Sequence, residues 1–171
     1  ATKNGRIKRS NLSEYVKINK NGKYAIKFAQ GDNDSLISVR ASKDTDHVVL
    51  VSAKGYACRF MPSEIKTRVD ANTGEEITTH TVRVQGRVSQ GVSGMKLSLE
   101  DRVIGMIVSD NFENNVLTIS KFGMAKRTRL GSGQMVNQFD ENEQKIVDEN
   151  GDEVYERDGY RKTNRGTKGV R

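Results

Sequence analysis

Several residue types are rare or absent in the sequence, and their scarcity excludes several classes of function. A single cysteine, Cys58, excludes an internal disulfide framework and a cysteine-rich zinc site, and it suits a cytoplasmic, reducing compartment. Tryptophan is absent, so the Gly-His and Trp-Asp signature of common propellers is missing. No apolar run approaches the roughly 20 residues that span a bilayer, and the first five residues lack a signal-like apolar stretch. We therefore expect no membrane partner.

Groups that carry catalysis or bind cofactors are equally scarce. His47 and His80 stand alone, without a second ligand at metal-binding spacing, so no metal site is predicted. No Gly-x-x-x-x-Gly-Lys loop is present, and we expect no ATP site in this chain. No convergent set of acid, base and nucleophile is visible, and no catalytic residue is predicted. With 34% hydrophobic residues the core supply is thin, yet the composition is not that of a disordered chain.

Positive charge is abundant and unevenly distributed. The chain carries a formal net charge of +7, but residues 134–158 hold nine acidic and two basic residues. The rest of the chain therefore holds 27 basic and 13 acidic residues. A basic chain with a single acidic stretch favours a polyanionic partner such as nucleic acid, although a basic surface also aids solubility.

A glycine motif occurs three times. Aligned on Gly5, Gly55 and Gly123, each copy has Ile or Ala two residues later and Arg four residues later. The second and third copies follow similar apolar runs ending in serine, residues 48–52 and 116–120. Recurrence of such a unit indicates a repeat architecture.

A second glycine motif alternates with the first, at Gly22, Gly91 and Gly169. The interval to the next first motif is 33 residues from Gly22 and 32 residues from Gly91. Each complete copy leads through a polar turn into an apolar run. The turns are Gly31-Asp32 and Glu100-Asp101, and the runs are Leu36–Val39 and Val103–Val108. Two intervals that agree this closely support one repeating unit.

Short Val- and Ile-rich runs between Gly, Asn and Asp turns predict an all-β fold, with about four strands in each repeat of roughly 50 residues. Such units arranged radially form a propeller. Residues 66–90 and 134–164 are predicted to be hairpin-like insertions between the motifs, the second with a turn at Asn150-Gly151. The whole chain, 1–171, is predicted to be part of one domain.

Together the two motifs resemble the C-terminal domains of DNA gyrase A subunits and, less closely, those of topoisomerase IV. The clearest segments are Gly22–Val39, Val48–Phe60, Gly86–Val108, Leu117–Arg127 and Arg165–Arg171. The resemblance implies a β-pinwheel, a six-bladed propeller-like disc with exchanged strands, of which this chain would be about half, roughly three blades. It also implies sequence-independent binding, bending and wrapping of duplex DNA in a bacterial type II topoisomerase.

The resemblance further implies that this chain is non-catalytic, while the parent enzyme supercoils DNA with ATP and Mg²⁺ bound by other parts. The gyrase B subunit would be reached through other domains, and the location would be the bacterial cytoplasm, in association with the nucleoid. The DNA-cleaving tyrosine of the family lies in a catalytic core outside these residues, so none of the five tyrosines is assigned that role. The heptapeptide Gln-Arg-Arg-Gly-Gly-Lys-Gly, associated with wrapping, is absent, and Arg165–Gly169 is a degenerate counterpart.

Basic residues around the motifs are the predicted DNA contacts, because regularly spaced cations can follow repeating phosphates. They are Lys3, Arg6, Lys8, Arg9, Lys54, Arg59, Lys121, Lys126, Arg127, Arg129, Arg161, Lys162, Arg165, Lys168 and Arg171. The arginines four residues after each glycine share strand parity with apolar residues. They could instead be structural partners of carboxylates such as Glu14 or Glu64.

Two alternatives stay open at this point. The chain could belong to a topoisomerase IV subunit, which serves DNA decatenation, or it could be a propeller that binds protein partners and carries its charge incidentally.

Overall fold

A computed structural model describes residues 1–28, 30–31 and 33–171. The all-β prediction is confirmed, since short strands dominate the described residues and the helical element among them is one 3-10 turn, Leu12–Tyr15. The strands are β1 Arg6–Ile7, β2 His47–Ser52, β3 Ala57–Phe60, β4 Ile65–Val69, β5 Glu76–His80, β6 Val92–Ser93, β7 Val103–Ser109, β8 Asn115–Ile119, β9 Ala125–Arg129, β10 Met135–Asn137 and β11 Tyr155–Arg157. No helix in this part of the chain is long and apolar enough to cross a bilayer.

The chain divides into two compact units. The first comprises Ala1–Asp110 together with Thr163–Arg171, and the second comprises Asn111–Lys162. The single domain over 1–171 stays a prediction.

The core of the first unit lies on an antiparallel sheet with the order β3-β2-β7. Because successive residues of β2 meet both neighbouring strands, Leu50 pairs with Cys58 on one side and Met106 on the other. The buried apolar cluster contains Ile7, Val48, Leu50, Cys58, Phe60, Val82, Met95 and Val103. Burying such side chains contributes about 1.5–3 kcal/mol each.

The two glycine motifs meet across a seam that occurs twice. In β1 and β6, Ile7 pairs with Val92 in antiparallel register. In the next repeat Ala57 pairs with Val170. Each first-motif residue stands two positions after its glycine, and each second-motif residue stands one position after its own. The repeat read from spacing is thus also a repeat of strand register.

The glycines of the second motif make these seams possible. A Cβ on Gly91 would lie 2.6 Å from the Ile7 carbonyl oxygen, and one on Gly169 would lie 2.2 Å from that of Ala57. Both glycines also have positive φ, which L side chains rarely adopt. Glycine is therefore required at both positions for the strands to approach.

The first copy of the apolar run departs from prediction, because no strand forms over Leu36–Val39. Leu36 makes one bridge to Thr2, and the Ile37 N–H donates to the Ala1 carbonyl at 3.0 Å. Asp32, named with Gly31 as the polar turn, lies outside the described residues.

Residues within 66–90 form most of the hairpin β4–β5, which is largely exposed. Its turn begins at Asp70, whose Oδ1 accepts the N–H groups of Asn72 and Thr73 at 2.8 and 3.2 Å. Because both N–H groups donate to the ionised form, they lower the pKa of the Asp70 carboxyl.

In the second unit, β8 and β9 pair in the same register as β2 and β3, with Ile119 opposite Ala125 as Val51 is opposite Ala57. Within the described residues β8 pairs with β9 alone, whereas β2 has a strand on each side.

Residues 134–158, the acidic stretch within the predicted insertion 134–164 and called the acidic insertion below, contain three hairpins that meet at one point. Gln138, Ile146 and Val154, each eight residues apart, donate their N–H groups to one another's carbonyls in a ring with 2.9 Å bonds. Two of the turns start at Asp140 and Asp148, whose side chains accept N–H groups two and four residues ahead at 2.8–3.0 Å. An eight-residue sequence repeat beginning Asp-Glu-Asn underlies both turns.

Candidate nucleic-acid interface

The glycine of the first motif closes the same five-residue turn in all three copies. In the second copy, Ser52 N–H donates to the Tyr56 carbonyl at 2.8 Å, and Gly55 N–H donates to the Ser52 carbonyl at 3.0 Å. The Tyr56 N–H donates to the Ser52 hydroxyl at 3.3 Å. The turns at 2–6 and 120–124 repeat all three bonds, at 2.7–3.1 Å. A hydroxyl that accepts a turn N–H explains why Thr or Ser stands three residues before each glycine.

Each of these turns carries a lysine one or two residues before its glycine. Lys54 and Lys121 are exposed and Lys3 is half-buried. The Lys54 ammonium donates to the Leu99 carbonyl at 2.6 Å, which uses one of its three N–H groups. The Lys121 ammonium lies 5.9 Å from the centroid of the Phe122 ring. Each turn therefore carries an ammonium group, although Lys54 stands directly before its glycine and Lys3 and Lys121 stand two residues before theirs.

Two of the predicted DNA contacts brace loops through backbone carbonyls. Arg6 donates to the carbonyls of Gln90-Gly91 at 2.9 and 3.1 Å. Arg165 donates to the carbonyls of Thr81, at 2.6 Å, and Ser93. Because these bonds occupy several guanidinium donors, both side chains have a structural role in the seam.

Lys8 is also engaged inside its loop. Its ammonium donates to the carbonyls of Ala25, at 2.6 Å, and Arg87. Burial and the neighbouring Arg87 charge lower the pKa of Lys8. Cys58 is the equivalent residue in the next repeat, and its thiol lies 3.7 Å from the carbonyl of Gly94, the counterpart of Ala25. The residue three positions after the first-motif glycine therefore contacts the second-motif loop in both repeats.

The arginines four residues after each glycine have three different environments. Arg9 lies beside Asp44, at 3.7 Å, and donates to the Ser63 hydroxyl. The carboxylate beside it is therefore not one of the two named from the sequence, and Glu14 pairs instead with Arg87 at 3.7 Å.

The second of these arginines, Arg59, is 1% exposed. Its Nε donates to Nδ1 of His47 at 3.3 Å, and its backbone carbonyl accepts the Thr163 N–H at 2.7 Å. A guanidinium buried in this way offers no surface to a phosphate, so Arg59 is removed from the candidate interface. The contacts of Arg59 support the alternative left open by the sequence, in which this arginine has a structural role.

The third, Arg127, is exposed on β9, as is Lys126 beside it. Arg129 on the same strand forms ion pairs with Glu113 and, at 3.5 Å, with Asp158. Lys168 lies over the Tyr56 ring, 4.3 Å from its centroid. The remaining exposed candidates are Arg161, Lys162 and Arg171. Contact of any of them with DNA stays a prediction.

One repeated cation was not predicted from the sequence. Lys27 and Lys96 each stand five residues after a second-motif glycine, and both are exposed. Their backbone N–H groups donate to the carbonyls of Ser89, at 3.3 Å, and Thr167, at 2.9 Å. Aligning the second motif for charge as well as for glycine would have found them.

The acidic insertion is exposed along nearly its whole length. Hydrogen bonds from the N–H groups of Asp152 and Asn150 lower the pKa of Asp148, and a bond from Lys145 lowers that of Glu153. Both carboxyls are therefore ionised at neutral pH, and this surface is strongly negative.

The two histidines and the cysteine have structural contacts. His80 Nδ1 lies 2.9 Å from the Ser63 carbonyl, and Cys58 is fully buried in β3. Among the described residues, no group of three or more His, Cys, Asp or Glu side chains could hold a metal ion.

An all-β chain whose glycine-turn units recur with one register is a propeller-type repeat protein. The family model described as "DNA gyrase C-terminal domain, beta-propeller" matches residues 1–43, 77–110, 114–132 and 157–171. Since these segments cover more than half of the chain, it belongs to this family, which confirms the resemblance. The match omits residues 133–156, almost the whole acidic insertion.

Individual relatives agree with the family. The chain is 35% identical over 138 residues to the DNA gyrase A subunit of Staphylococcus epidermidis, and 33% identical to that of Staphylococcus aureus. Each alignment covers 80% of this chain, but the chain spans only 13% of either relative's length.

Two solved structures share the fold. The C-terminal domain of DNA topoisomerase IV has a TM-score of 0.68 at 18% identity, and the DNA gyrase A C-terminal domain has a TM-score of 0.53 at 19% identity. Each match covers 99% of this chain, and 39% and 58% of the respective structures.

Proposed function

We propose that this chain binds duplex DNA without sequence preference and bends it, as part of the C-terminal domain of the A subunit in a bacterial type II topoisomerase. The observation that carries the proposal is the hydrogen-bonded glycine turn, which recurs three times and bears a lysine each time. Family membership adds the expectation that such a domain serves a DNA gyrase.

The physical basis is electrostatic. Duplex DNA carries regularly spaced phosphates, and cations repeated on equivalent turns can neutralise several of them along a curved path. Contacts to phosphates do not depend on the bases, so this arrangement needs no side chains that recognise base edges. Binding should therefore fall steeply with salt and vary little with sequence.

The chain would be one part of a larger enzyme, and the activity would require the other parts as well. In the parent protein the bound duplex would be wrapped and delivered to a catalytic region elsewhere, which supports ATP-dependent supercoiling in the bacterial cytoplasm, at the nucleoid. ATP, Mg²⁺ and the gyrase B subunit would be bound by other parts, and this chain would contribute no catalytic residue or cofactor of its own.

The first test changes three exposed lysines of the first motif, two on its turns and Lys126 on the adjacent strand β9. Replacing Lys54, Lys121 and Lys126 together by glutamine should raise Kd for a 40-base-pair duplex on the order of 30-fold. It should also reduce the slope of log Kd against log salt by about one per lysine. Fluorescence anisotropy between 50 and 200 mM salt measures both quantities.

A matched control removes the same charge elsewhere. Lys43 pairs with Asp110, Lys66 donates to Asn164, and Lys145 pairs with Glu153. Replacing these three lysines by glutamine should change the slope far less. An equal loss in both triple variants would mean that net charge, and not the turns, determines binding.

Bending and wrapping are tested with closed circular DNA. If the chain wraps DNA chirally, relaxation of a circle in its presence by a type I topoisomerase should leave a change in linking number. Bending that shortens the end-to-end distance of a labelled duplex without any change in linking number would favour a topoisomerase IV subunit. No salt-dependent duplex binding would favour a protein-interaction propeller.

A further inference from the structure

Each lysine-bearing turn of the first unit is held by one carboxylate that arrives from a later part of the chain. Asp101 Oδ1 accepts the Lys54 N–H at 3.0 Å and the Arg102 N–H at 2.8 Å. In the preceding repeat, Asp34 Oδ1 accepts the Asn4 and Ser35 N–H groups, each at 2.8 Å. The acceptor atom and the turn position are the same in both copies.

The backbone around each carboxylate repeats as well. The N–H of Ala53 donates to the Arg102 carbonyl at 2.8 Å, and the N–H of Lys3 donates to the Ser35 carbonyl at 2.8 Å. Two adjacent turn N–H groups are thus fixed in each repeat. These bonds hold the residue before the glycine in addition to the bonds internal to the turn.

Asp101 is further connected to the hydroxyl that closes its turn. Burial acts to raise its pKa, but hydrogen bonds from the Ser52 hydroxyl and from the Arg102 and Lys54 N–H groups outweigh burial and lower it. Since the Ser52 hydroxyl also accepts the Tyr56 N–H, one ionised carboxylate connects both ends of the turn.

A carboxylate at this position opposes DNA binding if only charge is considered. A negative group beside a phosphate-facing lysine weakens the attraction between the turn and DNA. Its presence at two equivalent turns therefore calls for a benefit of another kind, and the hydrogen bonds supply one. They fix the backbone from which the lysine side chain extends.

We propose that Asp34 and Asp101 are positioning residues that hold the glycine turns in the shape that presents Lys3 and Lys54 to DNA phosphates. This inference rests on the proposed function. The third turn provides an internal contrast, because in the described part of the chain no carboxylate accepts the Phe122 N–H, the counterpart of the Lys54 N–H. Lys121 is accordingly held less firmly than Lys54.

The test compares Asp101→Ala with Asp101→Asn in the full 171-residue chain. Asparagine keeps one oxygen acceptor for the two N–H groups and loses the charge and the second carboxylate oxygen, so Asp101→Asn should bind duplex DNA at least as tightly as the wild type. Alanine loses the acceptor as well, so Asp101→Ala should bind about threefold more weakly, with a salt slope lower by about 0.9. The two variants differ in hydrogen bonding at equal charge.

Asp70→Ala is the matched charge control, because Asp70 also accepts two turn N–H groups but lies in the β4–β5 hairpin. If Asp101→Ala tightens binding as much as Asp70→Ala does, only charge matters and the inference is overturned. The pair Asp34→Ala and Asp34→Asn should repeat the pattern through Lys3, and it decides the question if Asp101→Ala fails to fold.

Amide hydrogen exchange separates this inference from the proposed function. The Lys54 N–H should exchange faster in Asp101→Ala and at the wild-type rate in Asp101→Asn. Unchanged exchange in both variants would show that the carboxylate does not hold the turn and would overturn the inference alone. Absence of salt-dependent DNA binding in the wild type would overturn the proposed function before any variant is compared.

Discussion

Replacing Gly91 by alanine should lower the free energy of unfolding of the first unit by about 3 kcal/mol or more. Two costs add at this position. A non-glycine residue in the left-handed region costs about 1–2 kcal/mol, and the φ of Gly91 is +76°. The new methyl group would also lie 2.6 Å from the Ile7 carbonyl oxygen, so the β1–β6 seam must open, a cost of about 1–3 kcal/mol. Urea denaturation followed by circular dichroism measures the change.

Gly22→Ala is the matched control, since Gly22 occupies the same place in the motif. Its φ is +78°, but nothing lies within 4 Å of a Cβ built on it. The control should therefore lose only the conformational contribution, about 1–2 kcal/mol. Equal losses in the two variants would contradict the account of the seam, because steric contact with the neighbouring strand is what distinguishes them.

Much of the fold could be predicted because glycine marks the positions where backbone geometry is unusual. The three turn glycines, Gly5, Gly55 and Gly123, all have φ of 80–82°, and the sequence repeat aligned on them is the structural repeat. The pairing of each first motif with a second motif far along the chain could not be read from spacing. Ile7 and Val92 are brought together by tertiary packing alone.

The acidic insertion, which lies within the insertion predicted at residues 134–164, shows where turn signals fail. Its second turn contains Asn150-Gly151, which predicts a hairpin, and Gly151 has φ +88°. The equivalent turn eight residues earlier has Glu143 at that position, with φ +62°. A glutamate gives no turn signal, so the first hairpin was missed, although the Asp-Glu-Asn sequence of both turns could have revealed it.

Predicting which cations are available to DNA was the least reliable step. Arg9, Arg59 and Arg127 occupy one position of the repeat, yet one is paired with a carboxylate, one is buried and one is exposed. Sequence periodicity assigns them the same side of a strand. The contacts of that side differ in each repeat, and they come from distant parts of the chain, as Ser63 does at Arg9.

Arg59→Ala should lower the free energy of unfolding by about 3 kcal/mol, because it removes one of the largest fully buried side chains and leaves a cavity. It also removes the hydrogen bond from Arg59 to His47. Arg127→Ala, at the equivalent position of the third copy, should change the stability by less than about 0.5 kcal/mol because its side chain is exposed. Thermal and urea denaturation of the two variants measure this difference.

Arg59→Met separates packing from charge. Methionine fills much of the volume of the arginine, so this variant avoids most of the cavity that alanine leaves, although it still loses the hydrogen bond to His47. We therefore expect this variant to regain most of the stability that alanine loses. Its salt slope for duplex binding should match the wild type, whereas Arg127→Ala should lower the slope by about one if that side chain contacts a phosphate. A folded Arg59→Met variant with a reduced slope would return Arg59 to the interface and would require the strand that carries it to expose its side chain when DNA binds.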